Sequence, residues 1–175
     1  MFEVNDMSKV LGRVKHDFCK CLEFYEEMGI RKSKKQLSED LSGLLETTIE
    51  RYYDDAVAPK KDSEPDILKD GIAVEIKSTA GEDWRGGALS KRPGYYLLVG
   101  WQHSVTALIG SPINLFVAGI DLKESDWSGG LKNDYYATDF NKKALASRLD
   151  DTDIYMGNIY EYYRGKQKCV KIVKS

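Results

Sequence analysis

Two short apolar runs, Asp66–Lys69 and Ile72–Ser78, meet at Asp70-Gly71, and this dipeptide constrains the fold more than any other feature of the chain. A two-residue loop with both residues at positive φ matches the twist of paired β-strands, and Asp-Gly adopts it at low cost. Such a loop also fixes register. Lys69 lies opposite Ile72, Leu68 opposite Ala73, Ile67 opposite Val74, and Asp66 opposite Glu75. Opposed side chains have Cβ atoms about 4.5–5.5 Å apart and point to one side of the sheet. Lys77 shares that side with Glu75, because strand side chains alternate. The other side receives Ile67, Ile72, Val74 and Ile76, which predicts an apolar surface packed on a helix.

Two carboxylates directly opposed across strands repel, so a hairpin selected for stability alone would avoid the pair Asp66/Glu75. A divalent cation between them reverses the sign, since its charge dominates the local field. Mg²⁺ suits the arrangement: it takes one or two protein carboxylates and completes its shell with water and phosphate oxygens. Lys77 stands where it would compensate the acids without metal and orient a water or a phosphate with it. The chain has only two histidines, His16 and His103, far apart in sequence. Any metal is therefore expected to be a hard ion held by oxygen.

The remaining elements are read from periodicity. Val10, Leu11, Val14, Phe18, Leu22, Tyr25 and Met28 recur at helical spacing, with Gly29 as a stop. A second helix is expected from about Ser38, burying Leu41, Leu44, Leu45, Ile49 and Tyr52. Residues 58–65 (APKKDSEP) form a polar connector. Tyr95–Trp101 and Ile113–Ile120 read as strands, with a short one at Val105–Ile109. Phe140–Leu149 reads as a helix capped by Thr138 or Asp139, and Ile159–Tyr163 and Cys169–Val173 as closing strands. The similarity of Asp83-Trp84-Arg85-Gly86-Gly87 to Asp126-Trp127-Ser128-Gly129-Gly130 reads as chance likeness between loops. The tryptophans and the Tyr52-Tyr53, Tyr135-Tyr136 and Tyr162-Tyr163 pairs read as packing residues. Helices and strands together imply one α/β (α+β) domain over residues 1–175, a mixed central sheet flanked by helices.

Composition narrows the class. At 175 residues, 42% apolar and 31% charged, the chain can bury its own core. The beginning, MFEVNDMSKV, lacks the apolar stretch of a secretory leader, and no apolar run approaches the roughly 20 residues of a membrane helix. Three cysteines, Cys19, Cys21 and Cys169, exclude a fully paired disulfide framework, so reduced thiols in a cytoplasmic protein are expected. The net charge of −2 does not mark a nucleic-acid binder. Basic clusters at Arg31–Lys35, Lys60-Lys61 and Arg164–Lys174 offer local phosphate contacts or ordinary solvated faces.

Pro65-Asp66, eight intervening residues, then Glu75-Ile76-Lys77 resembles the signature of the PD-(D/E)XK nuclease superfamily, which includes most type II restriction endonucleases and several repair nucleases. The resemblance covers about residues 41–101. It implies a restriction-endonuclease-like core, metal binding by Asp66 and Glu75, and assistance to the attacking water by Lys77. An acidic residue on the preceding helix often completes such sites. Ser42-Gly43-Leu44-Leu45-Glu46 is similar to that helix in the superfamily's mismatch-repair nicking endonucleases, which gives Glu46 the role, with Glu50 one turn later as the alternative.

The implied function is Mg²⁺-dependent endonucleolytic cleavage of double-stranded DNA, foremost as a homodimeric type II restriction enzyme. The alternatives are a repair, nicking or junction-resolving nuclease of the same fold, and a non-catalytic DNA-binding module. Residues 79–94 leave the catalytic strand directly. Arg85 and Lys91 (with Arg92) are therefore expected phosphate or base contacts, and Gln102 and His103 are expected at base edges.

Overall fold

The computed structural model describes residues 1–59, 65–85, 93–103, 113–132 and 135–159, with residues 103, 129–132 and 135–138 described by their backbone alone. The chain opens with helix α1 (Val4–Glu27), which buries Met7, Val10, Leu11, Val14 and Phe18, and ends at Met28 and Gly29, the latter at φ +66°. Helix α2 (Lys34–Tyr52) begins a turn earlier than its apolar stripe suggests. Ser33 caps it: Gln36 N donates to the Ser33 hydroxyl, and Ser33 N donates back to the Gln36 side chain. This reciprocal cap satisfies two backbone donors that the helix itself leaves without partners. Lys32 donates to Asp40 at 2.6 Å and to Tyr25 at 3.0 Å, and so ties α2 to the end of α1.

Among the described residues, six strands form one sheet in the order β1 (Ala56–Val57), β2 (Ile67–Lys69), β3 (Ile72–Thr79), β5 (Gly94–His103), β6 (Ile113–Leu122) and β9 (Thr152–Met156). Neighbours run antiparallel except β3 and β5, which are parallel. A three-stranded antiparallel sheet, β4 (Asp83–Arg85), β8 (Tyr135–Asn141) and β7 (Ser128–Lys132), forms a second unit. The six-stranded sheet is thus mixed and flanked by helices.

Two apolar clusters cover the two sides of this sheet. On one side Ile67, Val74, Ile76, Tyr95, Leu97, Val99 and Trp101 pack with α1 and α2. On the other, Tyr96, Leu98, Phe116 and Ala118 pack with Trp84, Trp127, Phe140 and Leu145. The indole of Trp84 donates to the Val99 carbonyl at 2.9 Å and pins β4 to β5. Between the sides of β6, Gly119 leaves room for two rings: a Cβ there would lie 1.9 Å from the Tyr95 hydroxyl and 2.7 Å from the Tyr155 ring.

Several expectations are corrected. The segment read as a helix over Phe140–Leu149 continues β8 to Asn141, whose side chain then caps a short helix α3 (Lys142–Ala146). The two Asp-Trp motifs, read as loops, lie at or in strands of the second sheet. Trp84 and Trp127 enter the same cluster, and the strands they lead into flank β8, with Arg85 and Ser128 both paired to Asp139. Ile72, expected on the apolar side, is exposed at the hairpin tip, while Lys69 is buried there. Of the tyrosine pairs, Tyr53 packs on Phe2 and Tyr52 is largely exposed. Neither Cys19 nor Cys21 forms a disulfide. The expected strands at 105–109 and 169–173, all but Ile159 of the one expected at 159–163, Cys169, and the basic clusters at 60–61 and 164–174 lie outside the described residues. No helix among the described residues is long and apolar enough to cross a membrane.

Candidate metal centre

The hairpin has the register its turn dictates. Asp70 (φ +52°) and Gly71 (φ +74°) form the turn, and Lys69, Leu68 and Ile67 pair with Ile72, Ala73 and Val74. Hydrogen-bonded pairs recur every second residue from the turn, so the pair after 67/74 is 65/76. Pro65 has no N–H to offer that pair, and the β2 ladder stops. The carboxylate of Asp66 takes the vacated place: its Oδ2 accepts the Ile76 N–H at 2.6 Å. This backbone bond, unforeseen in the register argument, fixes one oxygen of Asp66 against β3. Its signal in the sequence was the proline immediately before the acid.

On β3, Glu75 and Lys77 share the side opposite Val74 and Ile76. The Lys77 ammonium donates to Glu75 Oε2 at 2.9 Å and lies 3.6 Å from Asp66 Oδ2. A single cationic group therefore reaches both carboxylates. All three side chains are partly shielded, with 19% of Lys77, 19% of Glu75 and 32% of Asp66 exposed.

Helix α2 brings the fourth group. Glu46 is half-buried, and its carboxyl is pushed up to about 7, first by burial and then by the negative charge of Asp66, with Lys77 acting in the opposite sense. Among the described residues it forms no hydrogen bond or ion pair. Glu50, the alternative, is occupied elsewhere: its Oε1 accepts the Ala58 N–H at 3.1 Å and holds the chain leaving α2. The two acids thus differ in surroundings: Glu46 feels the charges of Asp66 and Lys77, and Glu50 bonds the chain beyond the helix. Helix and hairpin are fastened together about two turns before Glu46, at Ser38. Ser78 Oγ donates to the Ser38 carbonyl at 2.6 Å, and the Trp101 indole donates to Ser38 Oγ at 2.9 Å.

No trio of His, Cys, Asp or Glu side chains among the described residues is gathered tightly enough to hold a metal by itself. The donor set nevertheless fits Mg²⁺, which needs only one or two protein carboxylates. Asp66 Oδ1 and Glu75 Oε1 take no hydrogen bond among the described residues, and Lys77 already stands in as a cation beside both groups.

The expected DNA contacts are more dispersed. Arg85 is 85% exposed on β4, 3.9 Å from Asp139 Oδ1. Gln102 is half-buried near the end of β5. It stands four residues beyond Leu98, the register partner of Lys77, or about 13 Å along the strand. His103 ends β5 and is described by its backbone alone; Lys91 lies outside the described residues. No family model matches the chain, and no curated protein matches it by sequence.

Proposed function

We propose that this protein is a Mg²⁺-dependent DNA endonuclease of the PD-(D/E)XK kind, with a restriction-endonuclease-like core and a catalytic group of Asp66, Glu75, Lys77 and Glu46. The observation that carries this reading is the Lys77 ammonium beside both the Asp66 and the Glu75 carboxylate, with Glu46 of α2 near enough to feel the charges of Asp66 and Lys77. Glu46 comes from α2, Asp66 from the bend before β2, and Glu75 and Lys77 from β3. A bound Mg²⁺ would polarise the scissile phosphate and acidify a coordinated water. Asp66 and Glu75 would hold the ion, and the backbone bond to Asp66 Oδ2 keeps one donor oriented. Lys77 would then orient the attacking water or offset charge on the phosphate. Glu46, with its carboxyl near neutrality, is suited to take up a proton beside them.

A duplex with a palindromic site calls for two such centres related by a two-fold axis, so the working form is read as a homodimer on cytoplasmic double-stranded DNA. Incubation with supercoiled plasmid and Mg²⁺ tests the reading. Discrete linear fragments are expected of a restriction enzyme, nicked circles of a repair nickase, and cleavage confined to branched DNA of a resolvase. A wild-type protein that binds these DNAs without cutting any of them, with Mg²⁺ or Mn²⁺, would instead be a DNA-binding module.

A further inference from the structure

The place between Asp66 and Glu75 already holds a positive charge. Lys77 Nζ is 2.9 Å from one carboxylate and 3.6 Å from the other, in a position shielded from most of the solvent. We propose that Lys77 is the resident counter-ion of this carboxylate pair, and that it must leave for a divalent cation to bind. The inference rests on the nuclease reading above and adds an order of events to it.

Three features carry it. First, the partners differ in freedom. Asp66 Oδ2 is held by the Ile76 N–H and cannot follow the lysine, whereas Lys77 ends a flexible four-carbon stem. Second, an ion bound through Asp66 Oδ1 and Glu75 Oε1 while the ammonium stayed on the other oxygens would set two cations against the same two carboxylates, in a place where water screens them poorly. Third, a displaced ammonium keeps its anchorage on β3, next to the carboxylates, where the phosphate of a bound substrate offers new acceptors. Metal entry and the presentation of Lys77 to the phosphate are then one exchange. Without metal, the same lysine relieves the repulsion between acids that the hairpin register forces together.

The test is a calorimetric titration of the full chain with Mg²⁺ in the absence of DNA, comparing wild type, Lys77→Met and Asp66→Asn. Removing the competing charge is expected to tighten Mg²⁺ binding about tenfold in Lys77→Met. Binding equal to or weaker than wild type overturns the inference. If Asp66→Asn abolishes binding while Lys77→Met leaves it unchanged, the metal centre stands and the counter-ion role alone falls. If Mg²⁺ binds none of the three proteins, both fall. Should Lys77→Met fail to fold, lysine side-chain NMR of the wild type gives a second reading. The Lys77 ammonium signal, assigned by its loss in Lys77→Arg, is expected to move on saturation with Mg²⁺. A signal that stays in place overturns the exchange.

Discussion

Lys69 and Lys77 lie on the two strands of one hairpin, and each stands beside two carboxylates. Lys69 bonds Asp55 and Asp70, and its ammonium lies 5.3 Å from the centre of the Tyr53 ring. Its own side chain is buried, but its partners are 47% and 51% exposed and hydrated. The bond to Lys69 holds the Asp55 carboxyl below its usual range. Every charge there has a partner or water. Around Lys77 the arrangement is inverted. The carboxylates are shielded, one is held by backbone, and a third acid nearby, Glu46, has no hydrogen bond or ion pair among the described residues and is pushed up to about 7. The first cluster closes an edge of the sheet. The second gathers its carboxylates where solvent screens them less, and on the reading proposed above that is what would let a cation bind there rather than at the first.

The two clusters should differ most in activity. Asp66→Asn is expected to lower plasmid cleavage at least about a thousandfold, since metal-centred charge stabilisation amounts to several kcal/mol. Asp55→Asn, with the same chemistry in the other cluster, should cut at the wild-type rate; equal losses in both would erase the distinction. Stability should show the reverse order. Lys69→Ala removes a buried stem and leaves two carboxylates that water can still reach. Urea denaturation should therefore show a loss of about 1–3 kcal/mol with cleavage retained.

A pH series sharpens the contrast further. In the folded chain Glu46 keeps its proton up to about 7, whereas the unfolded chain releases it near the ordinary value of 4.5. Folding thus binds a proton in that window, so metal-free stability should decline as pH rises from 4.5 to 7 and then level off. The decline attributable to Glu46 should be about 1–2 kcal/mol once solvent screening is allowed for. Glu46→Gln should remove it and be the more stable protein at pH 8; a slope unchanged in that variant would place the proton elsewhere. The smallest effect is expected at Arg85. Its exposed side chain makes one long ionic contact among the described residues, so Arg85→Ala should leave stability untouched. It should weaken DNA binding a few-fold and reduce the slope of log K against log salt by about 1.

How much of this was legible in the sequence depends on whether a local rule governed the outcome. Asp70-Gly71 obeys a two-residue conformational rule, so the register from Lys69 to Val74 was readable in advance, and with it the side shared by Glu75 and Lys77. The different surroundings of Glu46 and Glu50 were not readable. They depend on where Ala58 N–H falls after the helix ends, a matter of three-dimensional path. Ser33-x-x-Gln36 carried a capping signal that the apolar stripe of α2 overshadowed. The second sheet escaped detection because β4 has only three residues and β7 begins with Ser128-Gly129-Gly130, which has no alternating pattern to see. The helix expected over 140–149 had the right apolar spacing. However, Phe140 is paired with Trp84 across the strands, and that pairing outweighs helical periodicity.

Ser38 sits eight residues before Glu46, about 12 Å along the same helix. Bonds from Ser78 and Trp101 converge on it. Those bonds make α2, β3 and β5 a bracket with one joint. The acid on the helix and the acids on the hairpin thereby stand on elements bonded to one another, and the scaffold sets the spacing among them.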